Sequence, residues 1–165
     1  AVKAACAEKD VVLLHWSNRS RGLVMTTSAA ENVTSLSAIR PWRLSQRQAG
    51  TGAQILFDHL LAEAGLKKDQ LDLGVACHTE LETVLTLLEG RADIAFGLQY
   101  FAAKYNLAYL PLVTESVDIL VDRKMVFEPA FQALLAFCYS DSFTELVSGF
   151  GGYDTTGLGQ VRFNA

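Results

Sequence analysis

The residues with the most chemical potential lie between Arg47 and Gly65, in the stretch RQAGTGAQILFDHLLAEAG. Gly50 and Gly52 let backbone approach a ligand closely, Thr51 offers a hydroxyl, and Arg47 brings a guanidinium. Ala53 begins a helical pattern, and the first amides of a helix have no partner within it. A loop of this build receives an anion on those amides. The nucleotide versions are excluded. A Walker loop needs Gly-Lys-Ser/Thr at its end, and here Gly52 is followed by Ala53 and Gln54, with no lysine before Lys67. The dinucleotide fingerprint needs a third glycine where Ile55 stands. Two readings stay open: a wall of a pocket for a small anion or polar metabolite, or a glycine turn that only caps its helix. A helix end contributes about 0.3–1 kcal/mol to an exposed charge and up to ~2 when partly buried. Micromolar binding needs about 8 kcal/mol, so further groups must converge on any ligand held there.

Two later stretches are placed to do so. Cys77-His78-Thr79-Glu80 and Gly97-Leu98-Gln99-Tyr100 each join a strand pattern to a helix pattern. In a parallel sheet such junctions emerge at one carboxyl edge. His78 and Gln99 are therefore candidate ligand contacts, and Thr79 is one that also suits a helix cap. Arg19 joins them through charge. Residues 1–50 hold seven Lys/Arg against three acids, while the remainder holds seven against fifteen, within a net charge of -4. The basic excess lies just upstream of the loop and inside it, where its field attracts a small anion. It is not a nucleic-acid stripe, because the arginines are not interleaved with stacking aromatics and the chain is acidic overall.

Enzyme chemistry finds little support. No Gly-x-Ser-x-Gly elbow occurs, and His15, His59 and His78 show no metal-ligand spacing. Asp58-His59 marks the polar face of a helix, and Glu80 and Glu82, two apart, point in different directions. No catalytic residue, metal site or cofactor is expected. Cys6, Cys77 and Cys138 match no metal pattern and no disulfide framework, which favours a reducing, cytoplasmic setting and buried thiols. The apolar runs are far shorter than the roughly 18 residues that span a bilayer.

The elements that must position these groups follow from periodicity. Val11–Trp16 reads as a strand, Ser17–Ser20 as a polar turn, and Arg21–Thr26 as a second strand. Ser28–Ile39 suggests a short helix or helical turn stopped by Pro41. Trp42–Gln46 is a strand, the loop follows, and Ile55, Leu56, Leu60, Leu61 and Ala64 recur at helical spacing up to Gly65. Leu71–Cys77 is a strand. Thr79 with Glu82 makes a capping box for a helix ended by Gly90. Ala92–Phe96, Leu98–Tyr105 and Leu107–Leu112 continue as strand, helix and strand, so residues 43–112 alternate as a parallel-leaning α/β block. Beyond Pro111 the spacing predicts a strand at Ser116–Val121 and helices at Pro129–Cys138 and Ser142–Val147, the latter with a Ser142/Glu145 box. A glycine-rich tail, residues 149–159, closes the series.

Taken together, Arg47-Gln48-Ala49-Gly50-Thr51-Gly52, Leu60-Leu61-Ala62-Glu63-Ala64-Gly65-Leu66, His78-Thr79, Gly90-Arg91-Ala92-Asp93-Ile94-Ala95-Phe96-Gly97 and Gly151-Gly152-Tyr153-Asp154 resemble the type II periplasmic-binding-protein-like domain. The resemblance is to the form attached to molybdopterin-biosynthesis proteins and to helix-turn-helix regulators of the molybdate and LysR kind. It implies an α/β fold with a three-layer α/β/α lobe on a mostly parallel sheet, plus part of a second lobe. Residues 27–112 would form the α/β lobe, and 1–26 with 113–165 the partial lobe one with its hinge crossings. The ligand would lie between the lobes, touching Arg19, Arg47, Gly50, Thr51, Gly52, Ala53, His78, Thr79 and Gln99. The usual first half of lobe one would lie before Ala1, or a second copy would complete it as a homodimer. One departure stands out: the family loop commonly ends in Thr-Arg, and Ala53-Gln54 replaces it, removing a hydroxyl and a charge from the mouth.

The function this implies is a non-catalytic sensor or substrate-binding domain for a small anionic or polar ligand, with molybdate or a molybdenum-cofactor-related pterin as the named candidates. Its partner would be an upstream DNA-binding or enzymatic domain, with no direct nucleic-acid contact and no membrane. The alternatives are a domain of a molybdopterin-biosynthesis enzyme with catalysis elsewhere, and the solute receptor of an ABC transporter.

Overall fold

A computed structural model describes Cys6 and residues 9–164. The chain divides into two compact units, Ser20–Val113 and Ala1–Arg19 with Thr114–Ala165. Two long strands, β1 (Val11–Met25) and β5 (Ala108–Asp122), contribute to both.

In the Ser20–Val113 unit the strands run in the order β3-β2-β4-β1-β5, with β2 at Arg43–Arg47, β3 at Asp72–Cys77 and β4 at Ile94–Leu98. β2 is parallel to both β3 and β4, and β1 is antiparallel to β4. Helices cover both faces, as the alternation along the strands requires. Leu23 and Met25 of β1, with Ile94 and Phe96 of β4, face α2 (Gly52–Glu63), whose Phe57 and Leu61 complete that core. The Phe57 and Phe96 rings stack with centroids 4.8 Å apart. The intervening Val24 and Ala95 face the other way, onto Val84 and Leu87 of α3 (Glu80–Leu88) and Ala102 of α4 (Gln99–Lys104). This is the three-layer α/β/α arrangement.

The local signals in this unit act as their chemistry dictates. Gly65 and Gly90, just past the ends of α2 and α3, both take positive φ, the conformation that satisfies a helix's last carbonyls. Thr79 and Glu82 form the reciprocal capping box. Gly22 serves a different purpose. A Cβ there would collide with the backbone carbonyl of Leu110, so glycine is what lets β1 and the neighbouring chain approach.

Several expectations need correction. The polar run Ser17–Ser20 is not a turn: β1 passes straight through it, because Asn18 and Arg19 pair with Asp154 and Tyr153 of a short strand, β6 (Tyr153–Asp154). The expected strands Leu107–Leu112, from Ala108 on, and Ser116–Val121 likewise merge into the single strand β5. The Ser28–Ile39 helix is broken into α1 (Thr27–Ala30) and a 3-10 turn at Leu36–Ile39, since the polar and β-branched residues between them do not sustain helix. The Ser142/Glu145 box is displaced by Ser140, whose hydroxyl accepts from Phe143 N–H and opens α6 (Asp141–Ser148). The glycine-rich tail holds β6, and β7 (Val161–Asn164) follows it; both pair with β1.

The second unit carries α5 (Pro129–Cys138) and α6. One cluster of its core gathers Val12, Leu14 and Val121, flanked by Ile119, Val126 and Phe131. Cys6, Cys77 and Cys138 are free and buried. Among the described residues no helix is long and apolar enough to cross a membrane.

Candidate ligand-binding site at the carboxyl edge of β2, β3 and β4

β2, β3 and β4 end at Arg47, Cys77 and Leu98, in parallel register with Arg47 opposite Cys77. β1 runs the other way and brings Arg21 opposite Leu98. One edge of the Ser20–Val113 unit therefore gathers Arg21, Arg47 and the openings of α2, α3 and α4.

The charged centre of this edge is Glu80, the first residue of α3. Its Oε1 accepts from Arg21 Nη1 at 2.9 Å and lies 3.5 Å from Arg47 Nη1. Arg21 is 1% exposed, and its guanidinium lies 5.5 Å from the centre of the Phe96 ring. A cation so deep requires a counter-charge, and Glu80 supplies it from a helix N-terminus, where a carboxylate is itself favoured. Arg47 is held as well. Its Nη2 donates to the His78 carbonyl at 2.8 Å. Beside Arg21, Ser20 and Tyr109 share a hydrogen bond of 2.8 Å between hydroxyls. Burial pushes the Tyr109 phenol up, against the opposing pull of Ser20 and the Arg21 charge.

The glycine loop is shaped as its residues suggest. Gly50 has φ of 83°, a conformation that favours glycine. Gly52 does not need it, and a Cβ on either residue would meet nothing within 4 Å. Thr51 spends its hydroxyl internally, accepting from Gln54 N–H and donating to the Gln48 carbonyl at 2.9 Å. The loop's departure from its family pattern proves structural. Buried Gln54 accepts from Arg47 N–H at 2.9 Å and donates to Asp58 at 2.8 Å. It ties the end of β2 to the first turn of α2.

Arg47, Gly50, Thr51, Gly52, Ala53, His78, Thr79 and Gln99 thus all lie on the Ser20–Val113 unit, at or beside the three helix openings. Within that set Ala53 is buried and offers only its backbone, His78 is exposed with its carbonyl bound to Arg47, and Gln99 is half-buried. Arg19 belongs to the other unit, where Glu115 accepts from its Nε at 2.6 Å. Sequence reasoning missed Arg21 and Glu80. Arg21 looked like the start of an ordinary strand, and Glu80 was set aside by its spacing from Glu82. A lone arginine opening an apolar run, RGLVM, was the available signal.

A profile of the PBP superfamily domain matches residues 1–139. The chain belongs to the PBP superfamily. Among its relatives is the uncharacterized protein YvgK of Bacillus subtilis, 24% identical over 163 residues, which are 97% of this chain and 52% of YvgK. The chain therefore spans about half the length of that relative. The regulatory domain of CcmR from Synechocystis PCC6803, solved in complex with 2-PG, is similar with a TM-score of 0.64 at 11% identity, over 79% of this chain and 66% of that one. The substrate-binding domain of a putative molybdenum ABC transporter from Clostridium difficile is similar with a TM-score of 0.64 at 16% identity, over 92% and 72%. At such identities the likeness is one of fold.

This PBP domain also gathers a histidine, an aspartate and a serine that the sequence did not connect. In the smaller unit His15, fully buried, lies with Nδ1 3.1 Å from Asp118 Oδ1 and 3.4 Å from the Ser116 hydroxyl. Both partners crowd the same ring nitrogen, while Nε2 is buried without a partner among the described residues. A nucleophile set needs the hydroxyl on one nitrogen and the carboxylate on the other. The cluster therefore braces β1 against β5. Among the described residues no group of His, Cys, Asp and Glu is arranged to hold a metal ion.

Proposed function

We propose that this PBP-superfamily chain is a non-catalytic binding domain for a small anionic or polar ligand, taken at the carboxyl edge of β2, β3 and β4. The observation that carries the reading is the convergence of Arg21 and Arg47 on that edge, beside the openings of α2 and α3. Two guanidiniums on one carboxylate form a pre-assembled anion field, and Arg forks suit carboxylates and oxyanions alike. The glycine loop adds the opening of α2, which supplies the fixed partial charge of a helix end. A sensor or substrate-binding role follows, with the signal or cargo passed to a partner domain, and a cytoplasmic setting agrees with three buried free thiols. Molybdate is one member of this ligand class, and the likeness to a molybdenum transporter's binding domain is its support.

The test is a thermal-shift series on the chain with molybdate, tungstate, sulfate, phosphate and small carboxylic acids. A ligand that binds only the folded state must raise the melting temperature progressively with concentration. That rise should be lost in Arg47→Gln. If no compound stabilises the chain, or the rise survives in Arg47→Gln, the edge is not the site.

A further inference from the structure

Among the described residues, the edge carries two buried polar atoms with no hydrogen-bond partner, Glu80 Oε2 and Arg47 Nε. They are chemically opposite. The carboxylate oxygen only accepts and the guanidinium nitrogen only donates. Buried polar atoms are as a rule paired, and each exception asks what it is kept for. Both side chains still reach solvent in part, 22% for Glu80 and 14% for Arg47. The terminal torsion of a glutamate is broad, so the carboxylate can turn as a unit and bring Oε2 toward solvent, while the several N–H groups of the two guanidiniums stay within reach of Oε1.

We propose that Glu80 is the specificity-determining residue of this edge. Oε1 organises Arg21 and Arg47, and Oε2 accepts a hydrogen bond from the ligand. The site then takes small acids that carry a hydroxyl or ammonium next to the acid group, and disfavours oxyanions with no proton to give. This rests on the reading that the edge binds a ligand at all, and narrows it. A small hydroxy acid satisfies both orphan atoms, its acid oxygens meeting Arg47 and its hydroxyl meeting Glu80. Sulfate and molybdate, fully ionised near neutrality, can meet the arginines but would set charge against charge at Oε2. An unpaired or repelled group in a site excludes the wrong ligand as effectively as a good contact selects the right one.

The discriminating measurement uses a matched pair differing by one hydroxyl, lactate and propionate, titrated into the intact chain by calorimetry beside sulfate and molybdate. A hydrogen bond to a charged group predicts that lactate binds about ten- to a hundredfold more tightly than propionate. Sulfate and molybdate should bind more weakly than lactate. In Glu80→Gln the lactate preference should shrink to about threefold or less, and the oxyanions should gain affinity, as removing a neighbouring like charge requires. Should that variant fail to fold, the wild-type pair decides alone. Equal binding of lactate and propionate, both lost in Arg47→Gln, overturns the role of Glu80 and leaves the anion site standing. No binding by any of the four overturns the site itself and the inference with it.

Discussion

Replacing Gly52 by aspartate should move stability and binding in opposite directions. Gly52 is the first residue of α2, its φ is not in the left-handed region, and a Cβ there meets nothing within 4 Å. The side chain therefore enters open space. A carboxylate in a helix's first turn is favourable by about 0.3–1 kcal/mol, so the melting temperature should hold or rise slightly. The same charge stands where a bound anion would meet the loop. At a separation of about 6 Å, an effective dielectric between ~80 and ~20 makes the repulsion roughly 0.7–3 kcal/mol, a three- to hundredfold loss of affinity. Calorimetry with an anion that stabilises the wild type reads the binding, and a thermal melt without ligand reads the stability. Unchanged affinity would remove the glycine loop from the site. A collapse in melting temperature would show that the loop is packed, contrary to its exposed backbone.

Three further outcomes test the fold around the site. Gly22→Ala forces a methyl into the Leu110 carbonyl, and an overpacked backbone contact should destabilise the Ser20–Val113 unit by about 1–3 kcal/mol or more, read as a shift in denaturation midpoint. Asp154 is held below the ordinary aspartate range, first by hydrogen bonds from Thr156, side chain and backbone, and also by Asn18 and His15. Its contribution should be complete above the unfolded aspartate value and vanish as pH falls through the lower folded value, so the melting difference between wild type and Asp154→Ala should narrow on acidification. Cys6, Cys77 and Cys138 are buried, and burial pushes the Cys138 thiol up. A thiol reagent at neutral pH should therefore label the native chain slowly and all three cysteines at once in denaturant. Rapid labelling of native Cys138 would refute its placement.

Much of this architecture was legible because local chemistry and fold agree. Thr79 and Glu82 read as a capping box and form one; Pro129 starts a helix that runs to Cys138; Gly50, Gly65 and Gly90 take the backbone angles their contexts ask for. The failures share a cause. The polar run Ser17–Ser20 resembled a turn because nothing in it is apolar, yet its partners lie far away in sequence, Asp154 and Tyr153 across the ladder and Glu115 as the counter-charge of Arg19, just as Glu80 is that of Arg21. Long-range pairing of polar residues leaves no periodic trace. For the same reason the sequence reading singled out the glycine loop and His78 and passed over the ion pair at this edge, Arg21 with Glu80. Ala53-Gln54 looked like a loss of binding groups, whereas Gln54 turns inward to fasten β2 to α2.

The most direct trial of the proposed site is a calorimetric titration of lactate into the wild-type chain and into Arg47→Gln, with thermal melts to confirm that both are folded. Binding to the wild type that falls at least tenfold in the variant, at little change in melting temperature, is the predicted result. Equal binding to both folded proteins would contradict it and move the ligand away from the carboxyl edge of β2, β3 and β4.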